Sequence, residues 1–279
     1  EIGDWLRSGW GKITYDQGFA LSSNVGVINL INKHLNGNLL MDYYKKLGFG
    51  SKTNIELANE VSGKLSFKYE TEVFNAGFGQ GITTTPIQNI KALTSISNNG
   101  TLLQPYIIDK IVDQNTGKVI YKGKKKELEK VASTETVSKI KDLMESVING
   151  NSRTSTGYYY YMDGYDIIAK TGTAQIARES GKGYYNNQVI RGFAGMFPKD
   201  NPEVIMYVAA KNPSSTKLMS EVVKEIVKNT SNYLGIYNGK KEENKNLTNY
   251  TLDSYINNNV DTVKDTLTKN KINVVVIGN

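Results

Sequence analysis

The chain has 279 residues, a net charge of +7 from 34 Lys and Arg against 27 Asp and Glu, no Cys and a single His. This length predicts one large domain or two small ones. The absence of Cys excludes disulfides, thiolate metal sites and a cysteine nucleophile, and a lone histidine, His34, argues against a Ser-His-Asp triad or a multi-histidine metal site. No stretch approaches about 18 consecutive apolar residues, so no membrane span is expected. The chemistry should therefore use hydroxyls, lysines, amides and carboxylates, with no metal or cofactor.

The densest charge run, Lys122–Lys130 (KGKKKELEK), is typical of a solvated hairpin tip or loop. A nucleic-acid surface would interleave aromatic with basic residues or carry a recognisable binding motif, and neither is present. Nucleic acid is therefore not an expected partner, while a weak attraction to an anionic surface or polymer stays open.

The first half of the chain is predicted to be mainly helical, after an irregular segment at residues 1–21. Apolar spacing and capping residues predict four helices, at Asn24–Asn36, Leu39–Leu47, Pro86–Ser97 and Thr134–Ile148. A loop-rich stretch is expected up to Gly81. Two apolar runs, Tyr106–Val112 and Lys118–Lys122, flank turn residues and predict a β-hairpin.

The last third changes to strands and then to a polar segment. Short apolar runs predict three consecutive antiparallel strands, at Tyr165–Lys170, Ile190–Phe197 and Val204–Ala210. An amphipathic helix is expected at Lys217–Leu234. A polar linker then precedes a helical pattern at Val260–Leu267 and a strand pattern at Ile272–Ile277.

One motif carries chemistry: Lys170-Thr171-Gly172-Thr173, on the predicted strand Ile167–Ile176. From the composition, a K-[ST]-G-[ST] string is expected by chance only about 0.06 times. It combines a cation, two hydroxyls and a glycine that lets a ligand lie close to the backbone, which suits a substrate carboxylate and a developing oxyanion.

The motif resembles the K-T-G element of the penicillin-binding proteins, whose signature also includes S-x-x-K and S-x-N. Ser22-Ser23-Asn24 resembles the S-x-N element, and Phe78-Gly79-Gln80-Gly81 resembles the glycine-rich turn of the family. The segment Gly192–Pro198 also matches the pattern that follows K-T-G. The resemblance is closest to the class B transpeptidases. It implies an α/β (α+β) fold, with an antiparallel sheet flanked by helices and the N-terminal part of the domain missing.

The resemblance also implies a domain organisation. Residues 1–236 would form the transpeptidase domain without its N-terminal segment, residues 237–250 a linker, and residues 251–279 part of a PASTA-like domain such as Gram-positive bacteria append to some of these enzymes. Membrane anchorage on the extracellular face, by a helix upstream of this chain, would follow.

The S-x-x-K nucleophile of the family should precede S-x-N, and no such string precedes Ser22. Two S-x-x-K strings, Ser138–Lys141 and Ser214–Lys217, occur later, and chance alone predicts about two. Both stand in the wrong order, so the nucleophile is expected upstream of Glu1, and the chain alone is expected to be inactive.

For the complete enzyme, the resemblance implies acyl transfer on D-alanyl-D-alanine stem peptides through a serine, with β-lactams as inhibitors. Ser22 would relay a proton, Asn24 would hold a substrate amide, and Lys170 would keep the site positive. Thr171, Gly172 and Thr173 would contact the substrate, the Thr173 N–H would form half of an oxyanion hole, and Gln80 would line the cleft.

Two other classes of function stay open. One is a non-catalytic sensor or binding module for β-lactams or muropeptides, and the other is an interaction domain in which only the PASTA-like tail matters. The expected partners are stem peptides, β-lactams, the upstream part of the same protein, and proteins of the divisome or elongation machinery, linking the chain to cell division, cell shape and antibiotic resistance.

Overall fold

A computed structural model of the chain describes residues 2–179, 183–237, 240–241 and 254–269. The chain divides into two units, Glu1–Lys241 and Glu242–Asn279. The first unit is an α+β structure built on a three-stranded antiparallel sheet, as the resemblance predicted.

Five helices precede the sheet: α1 (Tyr15–Ala20), α2 (Asn24–His34), α3 (Gly37–Lys46), α4 (Glu70–Gly77) and α5 (Pro86–Ser97). The predictions for α2, α3 and α5 are confirmed to within two residues at each end. Helix α1 lies in the segment expected to be irregular, and α4 lies in the stretch expected to be loop-rich. Both are short helices started by local capping: Thr14 and Gln17 cap α1 reciprocally, and the Glu72 carboxylate accepts from the N–H groups of Lys68 and Tyr69.

Two small antiparallel pairs follow, made by β1 (Thr101–Leu103), β2 (Lys110–Val112), β3 (Val119–Lys122) and β4 (Glu127–Lys130). Strands β2 and β3 confirm the predicted hairpin. The charge run at Lys122–Lys130 is not a loop over its whole length, because its last four residues form β4 and pair with β1.

The central sheet comprises β5 (Ile168–Ala177), β6 (Tyr184–Phe197) and β7 (Val204–Lys211), in the order β5-β6-β7. Helices α6 (Thr134–Ile148) and α7 (Thr216–Leu234) pack against this sheet. All three antiparallel strands and both helices were predicted, although β5 extends seven residues beyond the apolar run predicted to end at Lys170, and β6 begins six residues earlier than expected. Within the described residues, β5 pairs only with β6, so it is an edge strand.

The sheet has a hydrophobic cluster on each face. Ile168 and Met196 are direct partners and pack with Met144 of α6. The next residue along β5, Ala169, belongs to a second cluster with Phe193 and with Val223 of α7. Successive strand residues alternate between faces, so Lys170 shares the face of Ile168, while Thr171 and Thr173 share that of Ala169.

Tyrosines 158–160 form one turn of 3₁₀ helix. Tyr160 is 2% exposed, and its ring lies 4.5 Å from that of Phe193, between centroids. Burial of this large ring against the sheet holds the turn in place.

The first unit ends with a short pair, β8 (Ile236–Tyr237) and β9 (Lys240–Lys241), the latter inside the predicted linker. In the second unit, α8 (Val260–Lys269) confirms the predicted helix. The strand pattern at 272–277 lies outside the described residues. None of the described helices is both long and apolar enough to cross a membrane.

Candidate active site

Ser22 lies in the tight turn between α1 and α2, in a left-handed backbone conformation. Its φ angle is +54°, and its N–H donates to the Phe19 carbonyl at 3.1 Å. A residue with a Cβ adopts this conformation at a cost of roughly 1–3 kcal/mol, so the surrounding contacts must hold it there.

Asp4 and Ser23 provide side-chain contacts that help to hold the turn. The Ser23 hydroxyl donates to the Asp4 carboxylate at 3.0–3.1 Å and accepts from the Gly26 N–H at 2.9 Å, as the N-cap of α2. The same carboxylate accepts from the Val25 N–H at 3.1 Å. Asp4 was not identified from the sequence, where an acidic residue in a glycine-rich segment carries no signal of its own.

Lys170 of β5 reaches across to this turn. Its Nζ donates to the Ser22 hydroxyl and, at 2.8 Å, to the Thr171 carbonyl, and it lies 5.7 Å from the centroid of the Phe19 ring. No ion pair with Lys170 is present among the described residues. Burial lowers the pKa of Lys170 to about 8, because an ammonium group loses hydration without gaining a carboxylate partner.

The other residues of the K-T-G motif lie on the same edge strand. The Thr171 hydroxyl is 2.6 Å from that of Thr156, in the turn after α6. Gly172 and Thr173 are exposed. A Cβ added to Gly172 would have no neighbour within 4 Å, so there is open space beside the backbone at this position.

Asn24 and Gln80 are less closely tied to the Ser22–Lys170 pair. The Asn24 side-chain amide donates to the Gly3 carbonyl at 3.1 Å, and the residue is half-buried. Gln80 follows α4 and donates its backbone N–H to the Asn75 carbonyl. No hydrogen bond within the described part of the chain joins the Gln80 side chain to Ser22 or Lys170.

Neither later S-x-x-K string lies at this site. Ser138 is exposed on α6, and the Lys141 Nζ donates to the Asp200 carbonyl at 3.0 Å. Ser214 and Lys217 are both exposed around the start of α7. Across the described ranges, no group of three His, Asp or Glu residues is placed to hold a metal ion. The arrangement offers a cation, hydroxyls and an open strand edge, which can bind a carboxylate and move a proton.

Comparison with known proteins identifies the family of the chain. The family model described as "Penicillin binding protein transpeptidase domain" matches residues 1–232. Stage V sporulation protein D of Bacillus subtilis is 34% identical over 250 residues, which cover 86% of this chain and 38% of that protein. The peptidoglycan D,D-transpeptidase FtsI homolog of Mesostigma viride is 32% identical over 212 residues, covering 69% and 34% respectively.

Solved structures share the fold. Penicillin-binding protein 2X of Streptococcus thermophilus matches with a TM-score of 0.72 and 29% identity, covering 100% of this chain and 43% of that one. Penicillin-binding protein 3 of Mycobacterium tuberculosis, complexed with aztreonam, matches with a TM-score of 0.78 and 23% identity. This match covers 86% of this chain and 56% of that one. The chain thus spans about a third to two fifths of the curated relatives named above. It belongs to the transpeptidase domain family of the class B penicillin-binding proteins.

Proposed function

We propose that the chain supplies the S-x-N and K-T-G elements of a peptidoglycan D,D-transpeptidase that is acylated by β-lactams. The observation that carries this proposal is the hydrogen bond from Lys170 to Ser22, which joins residues of both motifs across 148 positions of sequence. Membership of the family supports it independently.

The proposed reaction has two acyl transfers. A serine of the S-x-x-K element attacks the carbonyl of the penultimate D-alanine, an ester forms, and the terminal D-alanine leaves with a proton on its nitrogen. The amine of a second stem peptide then attacks the ester, forms the cross-linking amide and releases the serine. No cofactor enters either step.

Ser22 and Lys170 would manage the proton of the first step. Ser22 accepts a hydrogen bond from Lys170, so its own hydroxyl proton can be passed toward the leaving nitrogen while the ammonium stabilises the oxygen left behind. Lys170 also keeps the site attractive to the substrate carboxylate. Asn24 would turn its amide from Gly3 to a substrate amide on binding.

Thr171 and Thr173 would bind the substrate carboxylate through their hydroxyls, with Gly172 giving the ligand room against the strand. The Thr173 N–H would form half of the oxyanion hole, a donor that typically contributes about 3 kcal/mol to transition-state binding. Gln80 would line the cleft. The edge position of β5 supports these roles, because a ligand can lie along an unpaired strand edge.

The domain boundaries and location are part of the same proposal. Residues 1–236 form the catalytic part, 237–250 the linker and 251–279 the start of a PASTA-like domain, outside the membrane. The nucleophilic serine lies outside residues 1–279, in the upstream part of the same protein. Partners would include stem peptides, β-lactams and the divisome or elongation machinery.

The test labels the full-length protein with a fluorescent penicillin and supplies a stem-peptide donor with an amine acceptor. We expect a stable covalent adduct and a cross-linked product, both reduced at least about tenfold by Ser22→Ala. Ser138→Ala is the matched control, since that serine belongs to an S-x-x-K string on an exposed helix face, and it should leave labelling unchanged.

The outcomes separate the alternatives. Labelling without cross-linking would favour a sensor, and no labelling would contradict both. The chain 1–279 alone should show no mass increase with penicillin, and an adduct of one β-lactam would overturn the assignment of the nucleophile to another segment.

A further inference from the structure

Thr156 joins the two halves of the site, although no motif marks it. It lies in the turn between α6 and the tyrosine-rich 3₁₀ helix, 14 positions before Lys170 in sequence. Its backbone N–H donates to the Ala20 carbonyl at 3.0 Å, just ahead of Ser22, and its hydroxyl oxygen is 3.3 Å from the same carbonyl. On its other side the hydroxyl contacts Thr171 at 2.6 Å.

The turn around Thr156 holds it firmly. The Gly157 N–H donates to the Val147 carbonyl at 3.1 Å, and the Asn151 carbonyl accepts from Thr154 and Ser155. A Cβ on Gly157 would lie 2.6 Å from the Val147 oxygen, so the backbone here is pressed against the end of α6. Thr156 therefore presents its hydroxyl from a fixed backbone.

The direction of the Thr156–Thr171 hydrogen bond decides whether Thr171 can donate to a ligand. Each hydroxyl has one proton to donate. If Thr156 donates to Ala20, Thr171 must donate to Thr156, and Thr171 then has no proton left for a ligand. If Thr156 donates to Thr171, the Thr171 proton is available to a carboxylate. The Thr156 hydroxyl is closer to Thr171 than to the Ala20 carbonyl, and that carbonyl already accepts from the Thr156 N–H. Both observations favour donation from Thr156 to Thr171.

We propose that Thr156 is a positioning residue that turns the Thr171 hydroxyl into a donor for the carboxylate of the substrate or β-lactam. This rests on the proposed function and extends it, since it adds Thr156 to the residues on which recognition of the negative charge depends. With a carboxylate bound, Thr156 donates to Thr171 rather than to the Ala20 carbonyl, and the Thr171 proton goes to the ligand.

The test compares an acid with its neutral ester in the full-length protein. Acylation rates are measured with benzylpenicillin and with benzylpenicillin methyl ester, for the unsubstituted protein, Thr156→Val and Thr156→Ser. We expect Thr156→Val to acylate about tenfold more slowly with the acid, because the Thr171 hydroxyl loses the donor that turns its proton toward the charged carboxylate, and to be unchanged with the ester. Thr156→Ser keeps the hydroxyl and should restore the acid rate.

Thr154→Val is the matched control, because it removes the bond from the Asn151 N–H to the Thr154 hydroxyl (2.9 Å) in the same turn without touching Thr171. It should leave the ratio of acid to ester rates unchanged. If Thr156→Val does not fold, Thr156→Ala removes the same hydroxyl without added bulk.

Equal losses with acid and ester would show a structural role, and no loss with either would show that the Thr156 hydroxyl does not affect acylation. Either result would overturn the proposal. The same conclusion would follow if Thr154→Val changed the ratio as Thr156→Val does. An unsubstituted protein that neither compound acylates would instead overturn the proposed function, and this inference with it.

Discussion

Lys170 donates a hydrogen bond to the hydroxyl of Ser22 from a position where burial has lowered its pKa to about 8. A neutral hydroxyl offsets only part of the lost hydration of an ammonium group. The charge of this residue is therefore expected to change close to neutral pH, in a site that the proposed function requires to be positive.

The pKa of Lys170 predicts how stability depends on pH. An ordinary lysine pKa is 10.5, and the folded value is about 8, so between these values the unfolded chain binds a proton that the folded chain does not. Raising the pH from 8 to 10.5 should therefore stabilise the folded protein, by up to about 3 kcal/mol. Urea unfolding at several pH values, with Lys170→Met as reference, measures this contribution. A difference between the two proteins that stays constant from pH 8 to 10.5 would contradict it.

Gly172→Ala is expected to impair acylation without destabilising the fold. The new methyl group meets nothing within 4 Å in the protein, so the free energy of unfolding should change by less than about 0.5 kcal/mol. The methyl would occupy space that the ligand needs beside β5, and labelling by fluorescent penicillin should fall at least about tenfold.

Gly192→Ala is the control for Gly172→Ala, since Gly192 pairs directly with Gly172 but lies one strand away from the open edge. Its labelling should match the unsubstituted protein. Normal labelling of Gly172→Ala would mean that the ligand does not lie along this part of the strand.

Asp4→Ala should destabilise the turn that carries Ser22. The substitution removes the acceptor of the Ser23 hydroxyl and of the Val25 N–H at the start of α2, a capping loss of about 1–2 kcal/mol. Urea unfolding measures it. Asp42→Ala, at an exposed position of α3, should cost less than about 0.5 kcal/mol. Equal effects of the two substitutions would exclude a specific role for Asp4.

Gly195→Ala should cost about 1–3 kcal/mol through overpacking. Its Cβ would lie 2.6 Å from Phe193 Cε1 and 3.0 Å from the Ala169 Cβ, inside the cluster that supports β5. In Gly192→Ala, on the same strand, the Cβ would meet only the Tyr207 hydroxyl, at 3.7 Å, so that variant should unfold nearly as the unsubstituted protein does. Thermal unfolding of the two variants distinguishes them. Similar melting temperatures would show that the side chains around Gly195 repack to accommodate the added methyl group.

Local sequence features predicted much of the secondary structure. Thr85 and Ser133 are the N-caps of α5 and α6, and such caps can be recognised in a sequence because a cap depends on residues only three positions apart. The short helix α1 was missed because its six residues include a glycine and too few apolar positions to show a helical period. Its stability comes from a capping box and from packing against α2 and α6.

The sequence by itself determined the family resemblance, the K-T-G strand and the choice of Ser22 as a site residue, because each depends on residue types at close spacing. Only the tertiary structure decided that Lys170 contacts Ser22, that Asp4 supports the turn and that Thr156 pairs with Thr171. These contacts join residues 15 to 148 positions apart. Their geometry depends on how α1, α6 and the edge of the sheet pack together, which no local pattern specifies.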